Sequence, residues 1–351
     1  MHPIIEEDIE AISRELENFR EKIAEKKFLI TGGAGFLGSW FCDVIIALNG
    51  KVICVDNLSS GSTKNINHLL ANPNFRFVQA DVIDYQPKEA IDYIVHMASI
   101  ASPSMYMEHP VETLDANIIG IKKILEMAKS LCVKEFLFTS TSEVYGNPSD
   151  QFIPTPESYY GFVNSFGPRS MYDEGKRAAE AYCYSYFIQS QKEGKILPIR
   201  IARIFNTYGP KLDIEGTSLY GRALIKFIYQ ALNGKPVTVY GDGKQTRSFC
   251  YIADQIVGLF KLLLAPGIDG EVINIGNNTE ISILDLAKLI IGISNSKSSM
   301  EFNSLPTYSM KDDPRRRCPD IKKAEKLLHY QPKTDLKEGL KRTIEWAREN
   351  L

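Results

Sequence analysis

The sequence predicts an α/β fold: a doubly wound parallel sheet with a smaller, interleaved C-terminal α/β lobe. Three observations carry this. From residue 27 the apolar runs KFLITGG, KVICVDN, FRFVQAD, YIVHMAS, EFLFTSTS and LPIRIARIF recur as buried strands do. The stretches between them, such as 36–49 and 112–131, have helical spacing. After about residue 207 that rhythm breaks into the shorter runs PVTVYG, CYIAD and GEVINIG, separated by helical stretches at 218–233, 254–265, 282–292 and 335–349.

In chain order, residues 1–25 come first as an amphipathic helix. Ile5, Ile9, Ile12, Leu16, Phe19 and Ile23 form a narrow apolar seam. The seam fits docking on the chain's own domain, or alternatively a subunit contact. Residues 26–207 form the parallel-sheet domain, with a return segment near 248–262. Residues 208–351 form mainly the second lobe.

The chain has 351 residues, 44% hydrophobic and 24% charged, as in an ordinary globular protein. A net charge of −2 argues against a nucleic-acid or anionic-membrane surface. No apolar run reaches membrane-spanning length, and the acidic first residues do not read as a signal peptide. Cysteines 42, 54, 132, 183, 250 and 318 make no CxxC pair. They read as reduced thiols in a cytoplasmic protein, and the scattered histidines give no expectation of a metal.

The first strand runs into TGGAGFLG. Gly32, Gly35 and Gly38 recur at every third position and open a helix, with Phe36 and Leu37 between them. Such a turn lets backbone approach a pyrophosphate at a helix N-terminus, the Rossmann-type arrangement. Asp56 ends the second strand, 24 residues after Gly32. A carboxylate there accepts adenosine ribose hydroxyls and repels a 2′-phosphate, so NAD is expected rather than NADP. Asp81 follows the third strand and reaches the adenine, or simply ends that strand.

Two further segments carry chemistry. In MYDEGKR, Tyr172 and Lys176 stand four apart on one helix face. A free tyrosine, with a pKa of about 10, is a poor base at neutral pH. A nearby ammonium stabilises the phenolate. In TSTSEVYG, residues 139–146, a strand ends in hydroxyls followed by the lone acid Glu143.

These pieces resemble the extended short-chain dehydrogenase/reductase family, whose members hold NAD while modifying the sugar of a nucleotide sugar. The matches are TGGAGFLG, VDN at 55–57, DV at 81–82, HMAS at 96–99, Asn117, STSEVYG and Tyr172-x-x-x-Lys176. The resemblance implies cofactor contacts from Asn57, Val82, Ala98, Asn117, Tyr172 and Lys176. It implies that Thr141 bonds the C4 hydroxyl while Tyr172 takes its proton, and that the chain forms a homodimer through helices near 112–131 and 170–190.

Within the family, ASPSMY, GPRSMYDEGKR, RIFNTYGP, TVYGDGKQTRSFCY and DDPRRRCPDI together resemble UDP-glucuronate decarboxylases, which make UDP-xylose. The resemblance implies that Arg317, brought in by the DDPRRRCPD turn, orients the sugar carboxylate with Glu143. A planar guanidinium suits that contact. Arg222 and Arg247 then serve the diphosphate, Asn206 the diphosphate or sugar, and Tyr106 and Tyr240 also bind substrate. Ser142 stands where glucose 4,6-dehydratases resemble an Asp, and its hydroxyl is a poor acid. A 4,6-dehydratase and then a 4-epimerase remain the enzymatic alternatives, and a non-catalytic NAD-binding scaffold the alternative of another class. The loop YYGFVNSFGPRS departs from the decarboxylase pattern at Tyr160, Phe162 and Ser165.

Overall fold

The structure is a computed structural model and describes residues 1–214, 223–304 and 314–351. The six expected strands form at Lys27–Thr31, Lys51–Asp56, Phe75–Gln79, Tyr93–His96, Glu135–Thr141 and Ile199–Ile204. Val272–Ile275 joins them as the edge of one seven-stranded sheet. The sequence reading placed GEVINIG in the second lobe. The return to the large sheet therefore runs beyond 248–262, through helix Ile252–Leu264 to this strand.

All neighbouring strands of the sheet run parallel. Both faces are covered, which explains the unbroken apolar runs. Alternate residues serve opposite cores, as strand geometry dictates. Phe28, Ile30, Val52, Cys54, Val95 and Leu137 face helices Phe36–Ala47 and Ile252–Leu264. Leu29, Ile53, Val55, Ile94, Phe136 and Phe138 face helices Ile121–Leu131 and Ser170–Lys192. The strand order reverses at Lys27–Thr31, which has Lys51–Asp56 on one side and Tyr93–His96 on the other. A crevice opens at the carboxyl ends of strands at such a point.

The N-terminal helix docks on its own chain. It covers Pro3–Glu15 and then breaks into a 3-10 turn at Glu17–Phe19 and a short helix at Arg20–Ile23. Its seam residues Ile5, Ile9, Ile12 and Leu16 are buried in the core shared with helices Phe36–Ala47 and Ile252–Leu264. Asp8 fixes the register, accepting from the Tyr251 hydroxyl at 2.6 Å and pairing with Arg342 at 2.9 Å.

The second lobe packs helices Ala223–Leu232, Ile283–Ser294 and Leu336–Asn350 around the parallel pair Val237–Tyr240 and Met300–Asn303. A small sheet matters more for function. Thr246–Ser248 lies between Glu280–Ser282 and Arg316–Arg317. The described part of the expected DDPRRRCPD turn is thus a short strand, with Arg317 beside Arg247.

Candidate active site

The glycine loop is built so that backbone closes on backbone. Gly32 has φ +71°, and a Cβ there would lie 2.7 Å from the Ala98 amide nitrogen. A Cβ on Gly38 would lie 2.2 Å from the Gly32 carbonyl oxygen. Gly35 caps helix Phe36–Ala47, whose N-terminus faces the cleft with Phe36, Leu37 and Gly38. Asp56 is buried at the end of its strand and accepts from Ala34 N at 2.9 Å and Leu58 N at 2.8 Å. Burial pushes its carboxyl up, and these two amides oppose the shift. Asn57 donates to Asp81 at 2.9 Å, and Asp81 also accepts from Ile83 N. Asp56, Asn57, Asp81, Val82 and Ala98 all line the cleft.

Asn117 differs from its expected place. It is buried in a π-helical turn, Ala116–Gly120, and is not among the cleft-lining residues. Its amide donates to Thr113 O at 2.9 Å, and its oxygen accepts from Ser99, which does line the cleft. It braces the wall rather than forming it.

Across the cleft, Thr141 ends the fifth strand and accepts from Glu143 N at 3.3 Å. Ser142 follows, buried and lining the cleft. Tyr172 is buried, with its ring stacked on Tyr106 at 5.2 Å. Burial pushes the Tyr172 hydroxyl up, and a hydrogen bond with Thr141 pulls it back. Lys176 donates to Thr139 O at 3.0 Å, and burial pulls its ammonium down to about 7. The sequence reading had Lys176 stabilise the phenolate directly. In the structure the lysine donates to a strand carbonyl, and Thr141, with the Arg169 charge, favours ionised Tyr172.

Glu143 is the centre of a charged cluster. Arg317 grips it with both terminal nitrogens, Nη1 on Oε1 and Nη2 on Oε2, the latter at 2.6 Å. Arg169 Nη2 donates to the same Oε2, while Arg169 Nε reaches Asp173 at 3.4 Å. Burial pushes the Glu143 carboxyl up, but Arg169 and Arg317 outweigh it and hold it at about 2. Burial, with the Glu143 charge beside it, pushes Asp173 up to about 7. Sequence reasoning gave Arg317 to the substrate; here it holds Glu143. Sequence reasoning also missed Arg169. The available signal was spacing, because Arg169 precedes Tyr172 by three residues and Asp173 by four, on one helix face.

The far end of the cleft belongs to the second lobe. Asn206 donates to Ser248 O at 3.0 Å. Tyr240 has Lys226 over its ring at 4.7 Å. Arg247 donates to Thr246 O at 2.8 Å. All three line the same cleft, of about 1680 Å³, as do Tyr106, Arg169, Tyr172, Lys176 and Arg317. Arg222 lies outside the described residues. The Tyr106 hydroxyl is buried with no hydrogen-bond partner among the described residues. The same residues include no group of three or more His, Cys, Asp or Glu able to hold a metal.

Residues 28–276 match the profile of the NAD dependent epimerase/dehydratase family. The chain belongs to this family. It is 40% identical to UDP-glucuronic acid decarboxylase 1 of Xenopus tropicalis, over 100% of this chain and 82% of that one. It is 43% identical to UDP-glucuronic acid decarboxylase 1 of Danio rerio, over 93% and 73%. It is 42% identical to UDP-glucuronic acid decarboxylase 5 of Arabidopsis thaliana, over 93% and 90%. Among solved structures, UDP-glucuronic acid 4-epimerase of Bacillus cereus superposes with a TM-score of 0.79 at 30% identity, covering 93% of this chain and 100% of that one. An epimerase of Methanothermobacter thermautotrophicus gives 0.84 at 30%, covering 96% of each.

The family's NAD is also this chain's cofactor, and the residues fit it. The glycine turn has no room for side chains where backbone must approach phosphates. The acidic end of the second strand suits a ribose, and Lys176 and Tyr172 line the same cleft.

Proposed function

We propose that this chain removes the carboxyl carbon of UDP-glucuronate and forms UDP-xylose. The observation that carries the reading is the cationic pair Arg169 and Arg317 around an ionised Glu143, on the cleft wall beside Tyr172. The relatives named as UDP-glucuronic acid decarboxylases point the same way.

The chemistry that NAD would supply, held by the glycine turn and Asp56, is acceptance and return of a hydride at C4 of the sugar. Tyr172 takes the C4 hydroxyl proton, with Thr141 bonded to it and favouring its ionised form. Lys176 holds the Thr139 carbonyl, with its ammonium over the Phe138 ring at 4.8 Å. Once C4 is a ketone, the C6 carboxylate is β to it. The C5–C6 bond then breaks, carbon dioxide leaves, and the electron pair enters an enolate across C5 and C4. A proton added at C5 gives the 4-keto pentose, and return of the hydride to C4, with Tyr172 giving its proton back to the C4 oxygen, would complete UDP-xylose. Thr141, Ser142, Glu143, Tyr172, Lys176 and Arg317 are the proposed catalytic set.

A 4,6-dehydratase needs a proton donor for its departing hydroxyl. Glu143, whose carboxyl Arg169 and Arg317 hold well down, is poorly suited to be that donor. A 4-epimerase acting on the same acidic sugar is the second reading, favoured by the likeness to the Bacillus cereus enzyme.

We propose further that the chain pairs with a second copy. Val111, Leu114 and Ile119 are exposed apolar residues on the segment before helix Ile121–Leu131, and Tyr184 is exposed on the adjoining helix Ser170–Lys192. No helix among the described residues is long and apolar enough to cross a membrane. The free thiols suit a reducing compartment, and we place the chain in the cytoplasm.

The test is incubation of the purified protein with UDP-glucuronate, UDP-glucose and GDP-mannose, followed by mass spectrometry. Carbon dioxide and a pentose nucleotide from UDP-glucuronate alone support the reading. An unchanged mass with inverted C4 gives the epimerase, and loss of water from a neutral hexose gives the dehydratase.

A further inference from the structure

Asn274 is a buried polar residue that the cleft chemistry does not use. It sits on the edge strand Val272–Ile275, is fully buried and is not among the residues that line the cleft. A buried amide must find partners for both of its ends. Its oxygen accepts from the Tyr145 hydroxyl at 2.7 Å. Its side-chain nitrogen donates to Thr155 O at 3.0 Å and to Asp320 O at 3.1 Å. Its backbone N–H donates to the Glu157 carboxylate at 2.8 Å. Only one orientation of the amide works, because Thr155 and Asp320 both present carbonyl oxygens, which cannot donate.

These partners belong to the two segments that hold Glu143 and Arg317. Tyr145 closes the 3-10 turn Ser142–Tyr145, two residues after Glu143. Asp320 lies three residues after Arg317. Arg317 grips Glu143 with both terminal nitrogens, a contact that tolerates little error in distance or plane. Among the described residues, no backbone hydrogen bond joins residues 142–146 to residues 316–320. The link runs instead through Asn274 and the segment around Thr155. Thr155 N donates to Cys318 O at 2.8 Å, and Asp320 N donates to Thr155 O at 3.0 Å. On the other side, the Tyr145 ring packs on Phe205 and lies under the Arg203 guanidinium at 4.7 Å. The ring is thereby fixed, and its hydroxyl ties the Glu143 turn to Asn274.

We propose that Asn274 is a positioning residue for the reaction: it sets the Glu143 turn against the Arg317 strand, so that guanidinium and carboxylate meet edge to edge on the cleft wall. Its consequence for turnover rests on the decarboxylase reading above. A 4-keto acid loses carbon dioxide fastest when the breaking C5–C6 bond stands across the plane of the ketone, because the electron pair of that bond passes into the ketone's π-system. Glu143 and Arg317 border the C6 carboxylate in that reading. An error in their spacing turns the carboxylate out of line, and a misplacement of about 1 Å costs up to about a hundredfold in rate.

The test is a pair of double-mutant cycles on the NAD-loaded protein. The first follows carbon dioxide release from UDP-glucuronate in Asn274→Leu, Tyr145→Phe, Arg317→Lys and the two doubles with Arg317→Lys. Asn274→Leu removes both hydrogen-bonding ends and should lower kcat by about tenfold to a hundredfold. Tyr145→Phe removes a single hydroxyl, should lower kcat by about threefold to tenfold, and carries the test where Asn274→Leu fails to fold. Over Arg317→Lys, which keeps a cation but loses the two-pronged contact, either change should lower the remaining rate by less than about twofold. UDP affinity and retained NAD should stay within about twofold in every folded variant. The second cycle needs no turnover: Glu143→Gln should cost about half as much in melting temperature over Tyr145→Phe as it does in the parent, because the pair it breaks is already misaligned. Losses that multiply in full over Arg317→Lys, or a Glu143→Gln cost unchanged by Tyr145→Phe, overturn the proposal and leave Asn274 as a support of the fold alone. The decarboxylase reading is judged separately, by carbon dioxide release from the unaltered protein.

Discussion

Replacing Glu143 by Gln tests the charged cluster at its hinge. The change keeps the size of the side chain and removes the one full negative charge between Arg169 and Arg317. Three contacts to charged donors are weakened together: two from Arg317 and one from Arg169. The partners are mostly buried, with Glu143 15% exposed and Arg317 9%. Breaking a buried ion pair from one side costs about 3–5 kcal/mol, because the stranded partner keeps its desolvation penalty. Gln still offers one accepting oxygen and Asp173 lies nearby, so the lower end applies, about 3 kcal/mol. With ~2.1 cal/mol/K of unfolding entropy per residue over 351 residues, that loss lowers the melting temperature by about 4 °C. Circular dichroism melts of the variant and its parent at several pH values measure it. The sign is set by the depressed pKa: the native state holds the carboxylate at about 2, so its contribution is present above the ordinary carboxylate value and is lost only as pH falls through about 2. Glu143 itself adds no pH dependence from pH 8 down to pH 5, but the gap should widen as pH falls through about 7, where Asp173, held up by burial and by the Glu143 charge, takes a proton in the parent. A variant that melts at or above the parent across that range would refute the view that Glu143 is what holds the two arginines in place.

Other outcomes follow from single contacts. Tyr172→Phe keeps the ring stacked on Tyr106 and should lower turnover by about a hundredfold to ten-thousandfold with UDP-glucuronate affinity little changed; near-normal turnover in stopped assays contradicts its role as base. Gly38→Ala puts a methyl 2.2 Å from the Gly32 carbonyl oxygen, so the purified variant should retain little NAD and lose about 1–3 kcal/mol of stability; full cofactor retention, read from absorbance after heat release, argues against the close-packed turn. Lys176 is held at about 7 by burial, so the unfolded chain keeps a proton that the native one has released, and stability of the cofactor-free protein should rise as pH climbs from about 7 toward the ordinary lysine value. Lys176→Met should flatten that rise in unfolding titrations, and an unaltered slope rejects the assignment.

What the sequence revealed was local. The glycine turn, Asp56 and the Tyr172–Lys176 pair each depend on residues within one strand-turn-helix or one helical turn, so their spacing was enough. The partners of Glu143 were harder. Arg317 lies 174 residues away and reaches Glu143 through a short strand paired to Thr246–Ser248. Its residue type was legible from the family resemblance, but its contact was not. Arg169 stood inside a quoted motif and was passed over because an arginine before a helix has many uses; only the folded cluster selects one. Val272–Ile275 escaped because a four-residue apolar run carries no sign of which sheet it will join. Asn117 matched a family position, yet its π-helical turn rotates it into the wall, which no periodicity rule anticipates. The N-terminal seam was legible as a seam, while its docking surface depended on Asp8 meeting Tyr251 and Arg342 from distant parts of the chain.

The central claim is that this cleft oxidises C4 of an acidic sugar only to release its sixth carbon. Incubating the NAD-loaded protein with UDP-glucuronate labelled with carbon-13 at C6 tests it directly. The account predicts that the label appears wholly as carbon dioxide and bicarbonate, with an unlabelled pentose left on UDP. Label retained in a six-carbon nucleotide sugar, of either C4 configuration, would contradict it.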